Sequence, residues 1–200
     1  MKNPVSRVKL LAENNEITRV LAFEEQRLYL LAAPQPLQDV AALMLETGCR
    51  PEEIYRTQKD DVNFAEGYLL IPKGKTKAAR RKIPLTANAA EILRRRIAKA
   101  AGSYLFAHRF DDEKPMLKTS WQHHAAVAKS GVKPFRLYDC RHTYASRMAM
   151  SGVDLVTLAS LLGHSKIQMV MRYAHPSQEH QFEAVRKLEQ FTARKGLKVA

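Results

Sequence analysis

Two helical stripes, each stopped by a glycine with a basic side chain within two residues, constrain this chain more than any other feature. Leu37, Val40, Ala41, Met44 and Leu45 recur at i, i+3, i+4, i+7 and i+8 and end at Gly48, just ahead of Arg50. Leu155, Leu158, Ala159 and Leu162 repeat the spacing and end at Gly163, directly before His164. Apolar faces of this kind must be covered by other elements, so the chain is expected to build a helical core. A third basic residue, Arg141, lies at the start of a helix predicted from Asp139 to Ser151. Side chains at element junctions are displayed by the scaffold, and the planar donor fork of arginine matches a phosphate.

The remaining segments fill in an α+β class, mainly α with a small antiparallel β-hairpin or sheet. A helix is predicted from Glu24 to before Pro34, with Leu28, Leu31 and Ala32 on its inner side, and Pro51 suits the first turn of a short helix. Tyr68–Pro72 and Lys82–Leu85 read as the arms of a hairpin, Tyr104–Phe106 as a short third strand or extended piece, and Asp111–Glu113 as a polar loop. The hairpin tip, Lys73 to Lys82, carries six basic residues and no acidic one. A helix is expected from Asn88 to Ala101 and another from a Thr119 cap to Lys129. Adjacent His123 and His124 point about 100° apart on that helix, which does not suit a metal pair and favours a surface or DNA-edge role. A last helix, Gln178 to Thr192, has Phe182, Val185, Leu188 and Phe191 spaced by three, an oblique stripe that docks either on its own core or on a second copy.

Composition narrows the function. Two hundred residues with 46% hydrophobic content suit one domain. The formal charge of +13 favours a polyanionic partner, double-stranded DNA first. No apolar run approaches the ~20 residues of a membrane span. Lys2, Arg7, Lys9, Glu13 and Glu16 interrupt any signal-peptide pattern, so a cytoplasmic location is expected. Cys49 and Cys140 lack metal or disulfide spacing and are expected to be reduced and partly buried.

Taken together, Thr47–Glu53 (TGCRPEE), Tyr138–Ser146 (YDCRHTYAS) and Leu162-Gly163-His164 followed nine residues later by Tyr173 resemble the boxes of the tyrosine recombinases, the phage-integrase family. The resemblance runs from about Phe23 to Leu188. It implies the architecture of a tyrosine-recombinase catalytic domain over residues 23–192, with a lead-in or linker at 1–22 and a tail at 193–200. It also implies that the helical DNA-clamping, core-binding domain usual ahead of it is absent here.

By the same resemblance Arg50 and Arg141 bind the scissile phosphate, His164 contacts a non-bridging oxygen and Tyr173 is the nucleophile. Glu53 is the nearby carboxylate that positions the site, and Asp139 is a second supporting carboxylate. The hairpin lysine that protonates the leaving oxygen is assigned to Lys75, with Lys73 and Lys77 as competitors. Lys73, Lys77, Arg80 and Arg81 are assigned to DNA contact. Tyr138 stands where the family usually has a histidine. A phenol donates hydrogen bonds but is a poor proton shuttle near neutral pH, so slower proton transfer is expected. His142, next to Arg141, is expected to be structural. The implied chemistry is metal-free and cofactor-free: Tyr173 attacks, a 3′-phosphotyrosine forms, and a 5′-hydroxyl reverses the step. The cations around Tyr173 are expected to favour its phenolate. A non-catalytic DNA-binding fragment and a type IB topoisomerase-like relaxation of DNA are the alternatives. The C-terminal helix is the candidate contact for a homo-oligomer on DNA.

Overall fold

The fold, a computed structural model, describes residues 19–72, 79–173 and 178–194. Helix α1 (Phe23–Ala32) begins where Glu25 folds back to accept the Ala22 N–H at 3.1 Å, and it ends before Pro34. Leu28 and Leu31, expected to face inward, are exposed, and Tyr29 is the buried residue. The reason is the partner: α1 packs on α5 (Ser120–Ser130) through Tyr29, whose hydroxyl meets His123 Nδ1 at 2.8 Å. His123 is therefore a core residue, with Nε2 2.8 Å from the Phe135 carbonyl, and not the surface or DNA-edge group that the sequence suggested. Thr119 begins α5 without capping it. Its hydroxyl is buried on that of Tyr55 at 2.9 Å. Ahead of α1, Arg19 and Leu21 are already packed: Leu21 is buried and its N–H donates to Thr143 Oγ1 at 3.0 Å.

Helix α2 (Leu37–Thr47) buries its whole predicted stripe and lies against α3 (Pro51–Tyr55), α4 (Ala87–Lys99) and α6 (Asp139–Met150). It stops at Gly48, whose φ of 66° is left-handed. A Cβ there would come within 2.4 Å of the Tyr144 ring and 2.9 Å of Leu162 Cδ2, so glycine is needed for conformation and for space alike. Gly48→Ala is expected to destabilise the fold by about 2–5 kcal/mol, the sum of left-handed strain and overpacking, read from the urea midpoint.

The sheet has the order β1 (Val62–Asn63), β2 (Tyr68–Ile71), β3 (Arg81–Pro84), antiparallel throughout. Leu69 pairs with Ile83 and both are buried, which fixes the inner face of the hairpin. Its third strand is β1, not Tyr104–Phe106: Tyr104 makes one bridge to Gln58, while Leu105 and Phe106 enter the core. Asp111–Glu113, read as a loop, belongs to β5 (Asp111–Pro115), paired with β4 (Ala107–His108). Cross-strand pairing there is local and carries little apolar pattern, which is why it was not legible. Helix α4 is capped by Thr86, which accepts the Ala89 N–H at 3.1 Å, and it pins α2 through Arg95 and Arg96 on Asp39.

The chain ends in α7 (Leu155–Leu162), the single-turn α8 (Gln168–Met171) and α9 (Gln178–Arg194). Asp154 caps α7 by accepting the Val156 and Thr157 N–H groups. Among the described residues two apolar clusters result. The larger joins α1–α6 with the sheet, and a smaller one gathers Ala145, Leu158, Ala159, Leu162, Val170 and Tyr173. The candidate site lies along the seam between them. On α9, Phe182, Val185, Leu188 and Phe191 are all exposed.

Candidate active site

Glu53 organises the cluster because of where it falls in α3. As the third residue of that helix it turns back to accept the Arg50 backbone N–H at 2.8 Å, which brings Arg50 Nη1 within 2.8 Å of the same carboxylate. Arg81 reaches it from β3 with both terminal nitrogens, at 3.0 and 2.9 Å. Arg141 Nη1 stands 4.0 Å away. Burial alone would raise the Glu53 pKa, but the Arg81 hydrogen bonds, followed by Arg50, hold it below the usual carboxylate range. Three guanidiniums thus share one carboxylate, and the cluster keeps an excess of positive charge.

Arg141 is 1% exposed. It donates to the carbonyls of Gly48 and Leu162, both at 2.6 Å, and Nη2 also reaches His164 Nε2 at 3.0 Å. Those carbonyls end α2 and α7, where the helix dipoles place partial negative charge, so two glycine-stopped helices hold one buried cation. Burial lowers the Arg141 pKa, and the neighbouring Arg50 adds to the effect.

Arg81, expected to touch DNA, is instead turned inward, with its side chain 5% exposed. Besides Glu53 it donates Nε to the Leu161 carbonyl at 2.6 Å and Nη1 to that of Ala79 at 2.9 Å. Strand alternation explains it: Arg81 shares the inner face of β3 with buried Ile83, a period-two signal present in the sequence. Arg80 is exposed. Lys73, Lys75 and Lys77 lie outside the described residues. Asp139 directs its buried carboxylate to Arg136, accepting the backbone N–H at 2.7 Å and Nη2 at 3.0 Å. It fixes the entry to α6 and stands apart from the arginine cluster.

His164 is placed by Gly163, which is left-handed with φ 68°. Arg141 can only donate, so Nε2 of His164 accepts and the ring proton sits on Nδ1. That atom is buried without a hydrogen-bond partner among the described residues. Burial, then Arg141, Arg50, Arg81 and Arg172, push the His164 pKa down to about 4. His123 and His142 are lowered too, each chiefly by burial. Below pH ~6.5 the unfolded chain therefore binds protons that these folded-state rings refuse. Their contribution to stability is fully present above that pH and is lost as pH falls towards 4. The urea midpoint is expected to drop between pH 6.5 and 5, and less steeply in His164→Gln, where one of the three groups is gone.

The Tyr173 hydroxyl lies 2.6 Å from His142 Nδ1. His142 in turn packs edge-on against Tyr138, with centroids 5.1 Å apart. His142, expected to be structural, is thus brought to the candidate nucleophile. The overlooked signal is the i, i+4 relation of Tyr138 and His142, which places them on one face of α6. Tyr138 sits close enough to Arg50 to raise the arginine's pKa, after Glu53. Tyr173 is buried, and burial pushes its phenol up more strongly than Arg141 and Arg172 draw it down. The expected bias toward phenolate is therefore reversed in this conformation. Cys49 and Cys140 are wholly buried rather than partly so, and burial raises their thiols to about 11 and about 12.

A cleft of about 910 Å³ opens over the cluster, bordered by Arg50, Glu53, Gly163, His164, Ser165 and Met169. Of the candidate phosphate-binding groups, Arg50 and His164 face it. Arg141 stands behind them, and Tyr173 is not in the wall.

This fold and this set of side chains define a tyrosine recombinase catalytic domain. The chain belongs to the phage integrase family, whose profile matches residues 12–180. It is 25% identical over 196 residues to the integrase of Salmonella phage P22, covering 91% of this chain and 50% of that protein. It is 29% identical over 154 residues to tyrosine recombinase XerA of Pyrococcus furiosus, covering 74% of this chain and 53% of that one. The chain thus spans about half the length of these two relatives. Its fold is similar to that of the Tn1549 transposon integrase solved with circular intermediate DNA, with a TM-score of 0.75 at 20% identity, over 89% of this chain and 69% of that one.

Proposed function

We propose that this chain is the catalytic unit of a site-specific DNA recombinase or integrase, which cuts and rejoins DNA through a 3′-phosphotyrosine. The observation that carries the reading is the Arg50–Glu53–Arg81–Arg141–His164 cluster beneath an open cleft, with Tyr173 beside the same helix. Arg50 is the accessible guanidinium and fits a non-bridging phosphate oxygen. His164 borders the cleft, and its Nδ1–H, buried in this conformation, becomes a second donor when the ring turns towards the phosphate. Arg141 acts from behind as fixed positive charge, preorganised by the ends of α2 and α7 and shielded from water. Glu53 keeps the arginines from repelling one another.

For in-line attack Tyr173 must turn towards the cleft when DNA binds, with its hydroxyl still in contact with His142. The bond from Tyr173 to phosphorus forms as the bond to the 5′-oxygen breaks, and a proton reaches that oxygen from a separate acid, for which Lys75 is the candidate. Exchange is completed when a 5′-hydroxyl from another strand attacks the phosphotyrosine. Tyr138 keeps a hydrogen-bonding role beside Arg50. The exposed stripe Phe182, Val185, Leu188 and Phe191 on α9 supports a contact between copies assembled on DNA. Among the described residues no helix is long and apolar enough to cross a membrane.

The deciding experiment exposes the chain to a pool of nicked suicide duplexes with randomised cores, in which a cleaved fragment diffuses away and traps the adduct. A protein–DNA adduct resistant to detergent is expected. Salt-sensitive binding with no adduct would instead indicate a module that holds DNA without cutting it.

A further inference from the structure

We infer that His142 accepts the phenolic proton of Tyr173 in this protein, taking the proton-transfer role that Tyr138 cannot fill. The inference rests on the strand-cutting reading above and adds a residue to it. The geometry has three parts. His142 Nδ1 is 2.6 Å from the Tyr173 hydroxyl, within reach for direct transfer. The rings stand 5.9 Å apart at 45°, so the contact is made by the polar edges rather than by stacking. On the other side of His142, Tyr138 fixes the imidazole by an edge-on contact at 5.1 Å, which makes it a positioning residue.

A proton acceptor here must be neutral before the reaction, and its surroundings favour that state. His142 is 8% exposed, and burial is the main influence that lowers its pKa. The charged groups around it are Asp139 and Arg141 on its own helix, Arg136 in the segment leading into α6, and Arg172 next to Tyr173. Of these only Asp139 favours protonation, and its carboxylate is already hydrogen-bonded to Arg136. Tyr173 needs an acceptor for the complementary reason, because its burial raises the phenol.

The step balances without a co-reactant. The O–H electron pair of Tyr173 forms the new bond to phosphorus, the proton passes to His142 Nδ1, and the 5′-oxygen leaves with the electrons of the broken bond and takes a proton from the separate acid. In the reverse step the imidazolium returns its proton to the departing Tyr173 oxygen. His142 thus touches a reacting atom in both directions.

The test uses the whole chain and the duplex that the wild type captures most readily from the randomised pool, with cleavage followed in a single turnover. His142→Asn places an amide near the position of Nδ1, able to hold the tyrosine hydroxyl but not to take its proton. It should slow cleavage about 100-fold or more, with duplex binding and melting temperature close to wild type. His142→Ala should be slow too, and partly restored by added imidazole. The wild-type rate should fall on acidification through the titration of the imidazole, with its inflection on the acid side of an ordinary histidine, and that inflection should be missing in His142→Asn. Cleavage by His142→Asn at the wild-type rate or faster, with the inflection kept, would overturn the assignment while leaving the strand-cutting function in place. A wild-type chain that captures no duplex would remove both.

Discussion

Tyr173→Phe is expected to abolish covalent capture of suicide duplexes while duplex binding in a mobility-shift titration stays at the wild-type level. The change removes one oxygen. The ring keeps its place among Ala145, Leu158, Leu162 and Val170, and the cleft proposed to meet DNA is bordered by other residues. Losing the hydrogen bond to His142 costs about 1 kcal/mol of stability, too little to unfold the domain. The loss of adduct should be complete because no other hydroxyl among the candidate groups occupies that position. A trapped adduct in this variant would show that another residue is the nucleophile.

Glu53→Gln has the largest expected effect on the fold itself. Its carboxylate is the counter-charge for Arg50 and for Arg81, whose side chain is almost entirely buried. The amide preserves shape but leaves Arg81 charged and unpaired, with Arg141 4.0 Å from the same point. Breaking a buried pair from one side costs roughly 3–5 kcal/mol. At about 2–4 °C per kcal/mol for a domain of this size, melting should fall by on the order of 10 °C. The replacement of Arg81 by methionine in the same chain should recover part of the loss, since it removes the stranded charge. Unchanged melting in Glu53→Gln would mean that the carboxylate is not what holds the arginines together.

Both predictions depend on features that differ in how far they could be read in advance. The stripe from Leu37 to Leu45, its stop at Gly48, the stripe from Leu155 to Leu162 and its stop at Gly163 were legible because helical periodicity and the left-handed glycine are local. The hairpin arms were legible for the same reason. The inner face of α1 was misread, since Leu28 and Leu31 outweigh Tyr29 by hydropathy, and what selected Tyr29 was a polar partner on α5. The strands of the β4–β5 pair have no apolar alternation to announce them.

Within the site, Arg50 and Glu53 were linked in advance by the family resemblance alone, and their spacing of three at a helix start is what brings them together. Contacts between distant positions decide the rest. Arg81 meets Glu53 across 28 residues, His142 meets Tyr173 across 31, and Arg141 meets the Gly48 carbonyl across 93. No local pattern encodes which donor faces which acceptor at such separations. The residues alone therefore set the helices, their stops, the basic surface and the types of side chain available for phosphate chemistry. Packing of α2, α6 and α7 then settled that Arg81 and Arg141 are buried scaffold cations, that Arg50 and His164 face the cleft, and that His142 holds Tyr173. A guanidinium or an imidazole takes its role from the carbonyls, carboxylates and rings that folding brings against it.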